Sequence, residues 1–304
     1  MAAAANPIGD RFGFTWRPEL AAGILASLDR VDVVEVIAED GFGAPPRARR
    51  ALRTLARQVD VVVHGVALGP ASASPVERRR LDALARLVGD LEPAFWSEHL
   101  AFVRAGGIEI GHLAAPPRTR ETIDAAAANL EAARRAIGAA PLVENIATLI
   151  DPPASDRSEA EWIAGILANT GSDLLLDLHN LHANSTNFGY DPIAFLDAID
   201  PARIGAIHLA GGRWIDAPSI DAAGPRRRIL DDHLHDVPPP VYALLEAVGA
   251  RCSRPLTVIL ERDGAFPAIE DLLAELDRAR AALARGRAAA SHSAASGFRR
   301  AAIA

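Results

Sequence analysis

The chain has 304 residues, 50% of them apolar, and 39 acidic against 32 basic residues give a net charge of −7. That length fits one barrel of about 250 residues with short tails, and the acidic balance gives no general attraction for nucleic acid. Cys252 is the single cysteine, which excludes an internal disulfide and any iron–sulfur cluster held by several cysteines of this chain, so a redox metal would need nitrogen and oxygen ligands. The start, MAAAANPIGDRFGF, lacks the features of a secretory signal, and no run reaches the roughly 18 apolar residues of a membrane span. A cytoplasmic protein without membrane contact is expected.

In chain order, FGFTW at 12–16 and VDVVEVIAED at 31–40 read as strands, the second carrying Glu35 and Glu39 near its end. VDVVVHG at 59–65 ends on His64, and SPVERRRLDALARLVGDL follows with apolar residues at helical spacing. AFWSEHLAFV at 94–103 reads as one strand bearing His99. The helical TRETIDAAAANLEAARRAIG, stopped by Gly138, leads into PLVEN at 141–145 with Glu144. Ser158 and Glu161 match a capping box opening the helix SEAEWIAGILANTG, which Gly171 ends. DLLLDLHN at 173–180 presents Asp177, IGAIHLAG at 204–211 presents His208, and LTVILERD at 256–263 presents Glu261. Between the last two, ILDDHLH reads as a loop carrying Asp231 and His233. From 286 the sequence is small, polar and poorly patterned, so residues 1–285 are expected to form one catalytic domain and 286–304 a disordered tail.

Eight strand runs alternating with helices predict an α/β chain closed as a TIM (β/α)8 barrel, since no G-x-G-x-x-G turn of a dinucleotide-binding sheet follows the first strand. In such a barrel the site lies at the C-terminal ends of the strands, where these ionisable residues fall. A lone buried His or Glu is more often a satisfied core group. Several carboxylates buried together without a cation would cost many kcal/mol or force their pKa values upward, so the joint pattern points to metal. His64, His99, Glu144 and Glu261 could serve one ion, and Asp177, His208, Asp231 and His233 others, with Glu144 bridging. Asn180 could ligate or simply hydrogen-bond its loop. His179 points away if strand alternation continues past Asp177; His182 could reach the site from the loop, His235 could support His233, and Trp214 is placed to line the mouth. Glu35 and Glu39 could orient a ligand or meet substrate.

These segments, together with FGFTWRPEL, NFGYDP and the order of the SEHL, PLVEN, LLLDLHN, IHLAGG, Asp231-x-His233 and LERD motifs, resemble the multinuclear non-haem iron-dependent oxidases from about Gly13 to Arg262. The resemblance implies a xylose-isomerase-like barrel holding two or three irons of mixed Fe(II)/Fe(III) state. It implies dioxygen as co-substrate and a ribosomally made precursor peptide, often altered at cysteine, as target. It also implies a leader-recognising partner protein, expected here as a separate chain. Carried over by position, His64, His99, Glu144 and Glu261 hold one iron; Asp177, Asn180, His208, Asp231 and His233 hold the rest. Glu144, Asp177 and His208 are expected to act at the reacting centre. The chain departs from the family pattern at His179 and His182 within the Asp177–Asn180 segment, at Phe188 and Gly212 where members often carry histidine, and at Asp40 where asparagine is usual. A redox-inert alternative is a zinc or manganese isomerase, or a phosphodiesterase or other hydrolase, on the same barrel. The chain contains no lysine, which weakens the isomerase.

Overall fold

A computed structural model describes residues 9–217 and 226–301, so the first eight residues of the expected domain and the last three of the expected tail lie outside it. The chain opens with β1 (Arg11–Thr15), the short α1 (Ala21–Ala26), β2 (Val33–Ile37), a single turn α2 (Ala38–Gly41) and α3 (Pro46–Leu55). β3 (Asp60–Gly65), α4 (Arg78–Leu91) and β4 (Trp96–His99) follow, then a hairpin of β5 (Phe102–Ala105) and β6 (Ile108–Ala114). Next come α5 (Arg120–Ile137), β7 (Leu142–Glu144), α6 (Glu159–Thr170), β8 (Asp173–Asp177), α7 (Leu178–Phe188), α8 (Pro192–Ala198) and β9 (Ile204–Leu209). A second hairpin, β10 (Gly212–Ala217) and β11 (Arg226–Asp231), precedes α9 (Pro239–Arg251), β12 (Thr257–Leu260) and α10 (Ile269–Ala301).

Eight parallel strands close a barrel in the order β1-β12-β9-β8-β7-β4-β3-β2, and the two hairpins stand outside it. The strands read as continuous apolar runs because both faces are covered. Outward residues join the helices in the main core, while Val33, Val62 and Ile259 form a separate small cluster with Phe95 against it. The helices take their faces from spacing: α4 buries Leu81, Leu84, Leu87 and Leu91. Their ends match the sequence signals. Ser158 and Glu161 form the capping box of α6, and Gly138 and Gly171 close α5 and α6 with φ of +91° and +68°. A side-chain cap of this kind contributes about 1 kcal/mol.

Three boundaries differ from the sequence reading. AFWSEHLAFV is two strands, because the chain turns at Leu100 and Ala101 out of the barrel into the β5–β6 hairpin. ILDDHLH is not wholly a loop: Ile229 to Asp231 end β11, whose cross-strand partners run from Gly212, opposite Asp231, to Ala217. Its charged Arg-Arg-Arg start hides the strand, since an outlying hairpin needs no apolar run. Residues 286–301 continue α10 where a disordered tail was expected. The alanines there favour helix, and Arg287 ties the segment to Asp10 at 2.7 Å.

Candidate metal centre

The site is built one step above the barrel's inner apolar layer. Val33, Val62 and Ile259 fill the interior, and two residues later on the same strands, on the same face, stand Glu35, His64 and Glu261. Strand register adds the neighbours: His99 on β4 lies beside Glu144 on β7, and Asp177 on β8 beside His208 on β9.

Two groups of ligand atoms result. His64, His99 and Glu144 form one; Glu144, Asp177, His208 and Glu261 form the other, the atoms in each lying within 4.8 Å of one another. Glu144 belongs to both. Its Oε2 is 3.3 Å from His64 Nε2 and 3.5 Å from His99 Nε2, while its Oε1 is 3.5 Å from His208 Nδ1. Glu261, expected beside His64 and His99, groups with Asp177 and His208 instead, its Oε2 being 3.0 Å from His208 Nδ1 and 3.6 Å from His233 Nδ1. Asp231 lies to one side, its Oδ1 3.0 Å from His233 Nε2 and 2.8 Å from His179 Nδ1.

His179 and Asp231 form a hydrogen bond, but the other approaches, close as they are, do not align as hydrogen bonds. Among the described residues, Glu144 Oε2, Asp177 Oδ2, Asn180 Oδ1, His208 Nδ1, His233 Nε2 and Glu261 Oε2 are buried polar atoms with no hydrogen-bond partner. A single orphan of this kind costs about 1–3 kcal/mol. Their convergence fits a bound cation, and imidazole, carboxylate and amide oxygen donors suit iron, manganese or zinc.

The opposite edges of the same side chains are anchored. His208 Nε2 donates to Glu35 at 2.9 Å, and Thr15 donates to the other oxygen of Glu35. His99 Nδ1 donates to the carbonyl of Gly65, and His64 Nδ1 lies 2.8 Å from Ser97 Oγ. Fixing one ring nitrogen presents the other to the centre. Asp177 is the N-cap of α7: its Oδ1 accepts from the Asn180 amide at 2.6 Å, leaving Oδ2 free. Asn145 clasps the same corner through the Asp177 amide and carbonyl, and its own carbonyl accepts from the Asn180 side chain. His233 holds a left-handed φ of +53°, unusual for a side-chain-bearing residue, with its carbonyl accepting from the Asp263 amide.

Without a cation the charges oppose one another. Burial, then Glu144, Asp231 and Glu261, push the Asp177 carboxyl well above its usual range. Burial opposes charge on His99, but Glu144, Glu98 and Glu261 outweigh it and raise it to about 9. His208 and His233 rise for the same reason, burial being overcome chiefly by Glu261. Burial and the neighbouring His99, His208 and His233 lower His64.

A cavity of about 670 Å³ opens above the centre, lined by His64, His99, Glu144, Asn180, Asp231, His233 and Glu261 at its base and by Ile146, Leu149 and Ile229 on its walls. The other candidates fall elsewhere. Glu39 is in α2, accepting from the Val66 and Ala67 amides, and so shapes the turn after His64. Trp214 is 49% exposed on β10 beneath Arg227, away from the cavity lining. His235 pairs with Asp232 at 2.9 Å, and His182 sits on α7 with its ring 6.4 Å from that of His179. Strand alternation does not govern His179, because the helix has begun: its ring turns to Asp231 and fills the space above Gly212, where an added Cβ would come within 2.6 Å of it. His179 and Gly212 are thus sterically complementary.

Sequence reasoning passed over Arg17, Asn145 and Asp263. Arg17 lines the cavity and binds Asp263 at 2.5 Å, and Asp263 Oδ2 is 3.5 Å from His233 Nδ1. Both lie just past strand ends, in FTWR and LERD, the signal by which the others were found. Asn145 had that signal too, but a neutral amide does not announce a site.

The model of the RiPP precursor modification enzymes MbnB/TglH/ChrH matches residues 11–284. A UPF0276 protein of Streptomyces avermitilis is 38% identical over 279 residues, covering 89% of this chain and 54% of that protein, so the chain spans about half the length of that relative. A UPF0276 protein of Rhizorhabdus wittichii is 35% identical over 82% of this chain and 86% of its own length. Among solved structures, a xylose isomerase domain-containing protein of Salmonella typhimurium superposes with a TM-score of 0.57 over 92% of this chain and 99% of its own, at 17% identity, a likeness of fold. Among the described residues no helix is long and apolar enough to cross a membrane.

Proposed function

The chain belongs to the MbnB/TglH/ChrH family of RiPP precursor modification enzymes, and from that membership we propose that it is a multinuclear non-haem iron oxidase that uses dioxygen to alter a side chain of a ribosomally made precursor peptide. A separate protein that recognises the peptide's leader completes the proposed system. The observation that carries the metal reading is Glu144, whose Oε2 faces His64 and His99 and whose Oε1 faces His208, so that it belongs to two different groups of possible ligands. One tetrahedral zinc uses four ligands, fewer than converge here. His64, His99 and Glu144 would hold one ion and Glu144, Asp177, His208 and Glu261 a second, with Asn180, Asp231 and His233 within reach of further coordination.

Iron bound there would supply the one-electron chemistry and dioxygen activation that no side chain of this protein offers. The protein's own part is placement. Glu35, Ser97 and the Gly65 carbonyl hold three imidazoles from behind, so the donor edges are arranged before any ion arrives. The walls of Ile146, Leu149 and Ile229 are apolar, and the cavity is large enough for a short stretch of peptide.

The test is metal analysis with Mössbauer spectroscopy on protein grown in iron-57 medium and purified without oxygen. Coupled irons at two or three per chain support the oxidase. Stoichiometric zinc or manganese without iron, after iron-replete growth, sinks it and moves the redox-inert isomerase or hydrolase to first place.

A further inference from the structure

The outer ring of the barrel is thin at one place. α1 has six residues where α4 has 14 and α5 has 18, and α3 buries only Leu55. Between α1 and α3 this leaves an apolar groove of about 610 Å³, with Trp16 and Leu52 among its lining and Leu25 44% exposed at its edge. The groove adjoins the metal cavity. Ile37 lines both, and Arg17 on the cavity side lies 3.8 Å from Asp40 on the groove side.

The charge on this groove is selective. α3 carries Arg49 and Arg53, which pair with Asp90, and Arg47 and Arg50, which line the groove with no carboxylate within 4.0 Å among the described residues. The one acid of the lining, Asp40, faces Arg17. In a chain of net charge −7, an apolar trough flanked by such arginines selects a ligand that is apolar on one side and acidic on the other.

We propose that this groove docks an acidic, amphipathic segment of the substrate peptide itself, which then passes over the Arg17–Asp40 contact so that the residue to be modified enters the metal cavity. The assignment rests on the peptide-substrate reading above. It makes Arg47, Arg50 and Leu25 recognition residues remote from the reacting atoms, acting on peptide affinity.

The probe is a fluorescein-labelled synthetic peptide with leucines on one helical face and glutamates on the other, followed by anisotropy on the whole chain. Arg47→Glu with Arg50→Glu should weaken binding roughly tenfold or more. The same charge reversal at Arg78 and Arg79 on α4 should leave it unchanged, and a lysine version of the peptide should not bind. Circular dichroism and metal content confirm that each variant is folded. Equal affinity of the groove variant and the native chain, or an equal loss in the α4 variant, overturns the proposal. For placement, Ala48→Cys provides an accessible thiol, since Cys252 is buried; it should cross-link to a bromoacetyl form of the peptide. A co-expressed partner protein that shields this thiol while the peptide binds elsewhere also overturns it. Docking is read without turnover, so the two readings fail separately. A chain that docks the peptide but takes no iron loses only the oxidase reading. An iron-loaded, peptide-modifying chain indifferent to Arg47 and Arg50 loses only the groove.

Discussion

Glu144 and Glu275 are carboxylates exposed by only 1% and 2%, yet they are buried on opposite terms. Glu275 accepts from the Val237 amide at 3.0 Å and meets Arg262 at 3.4 Å and Arg278 at 3.3 Å, so its oxygens are partnered within the protein. Among the described residues Glu144 has no guanidinium beside it; its neighbours are three imidazoles and the carboxylates of Asp177 and Glu261, and its Oε2 is orphaned. A buried carboxylate whose partners lie within the fold needs no other, whereas one left without them implies something the chain must acquire.

The largest test of that contrast is Glu144→Gln. Turnover and metal content should fall by more than the ~10–100-fold that partners behind a ligand contribute, while the metal-free fold holds, since one of several like charges is removed. Iron quantification beside urea unfolding checks both halves, and a variant that keeps its metal breaks the comparison. Arg262→Met is the converse. It leaves Glu275 only the Val237 amide and Arg278, and should cost at most about 3–5 kcal/mol of stability, with metal per folded chain unchanged; a loss within 0.5 kcal/mol by urea titration, the usual range for surface changes, would show the bridge to be idle. Glu35→Gln should weaken metal binding by ~10–100-fold through a looser His208, with little change in unfolding midpoint, as read by chelator competition. The smallest effect is in pH. Burial raises the Glu275 carboxyl, against the Val237 amide and Arg262. The folded state therefore holds this proton more tightly than the unfolded chain, and the stability it contributes, full below the ordinary value near 4.3, is lost as pH rises through the folded value. Relative to Glu275→Gln, the native chain should lose melting temperature across that window, and a flat difference curve would remove the assignment.

The barrel was legible because parallel strands covered on both faces leave unbroken apolar runs, and the six ionisable strand ends were legible because such residues interrupt them. What the sequence hid lies outside that rule. The β5–β6 hairpin continues the apolar run of β4, so nothing in AFWSEHLAFV marks its turn. β11 begins with arginines and ends in the loop-like DDH. Periodicity also says nothing of which donors lie together: Glu261, read from sequence beside His64 and His99, groups with Asp177 and His208, and Glu39, Trp214 and His235 lie outside the cavity lining.

Asp177 gives one oxygen to the amide at the start of α7 and leaves the other facing the centre. Substitution divides these duties. Asparagine keeps the cap and surrenders the charge, while glutamate keeps the charge on an arm too long to cap. The position thus admits a single occupant among the common residues, and any drift there must first release either the helix or the ion.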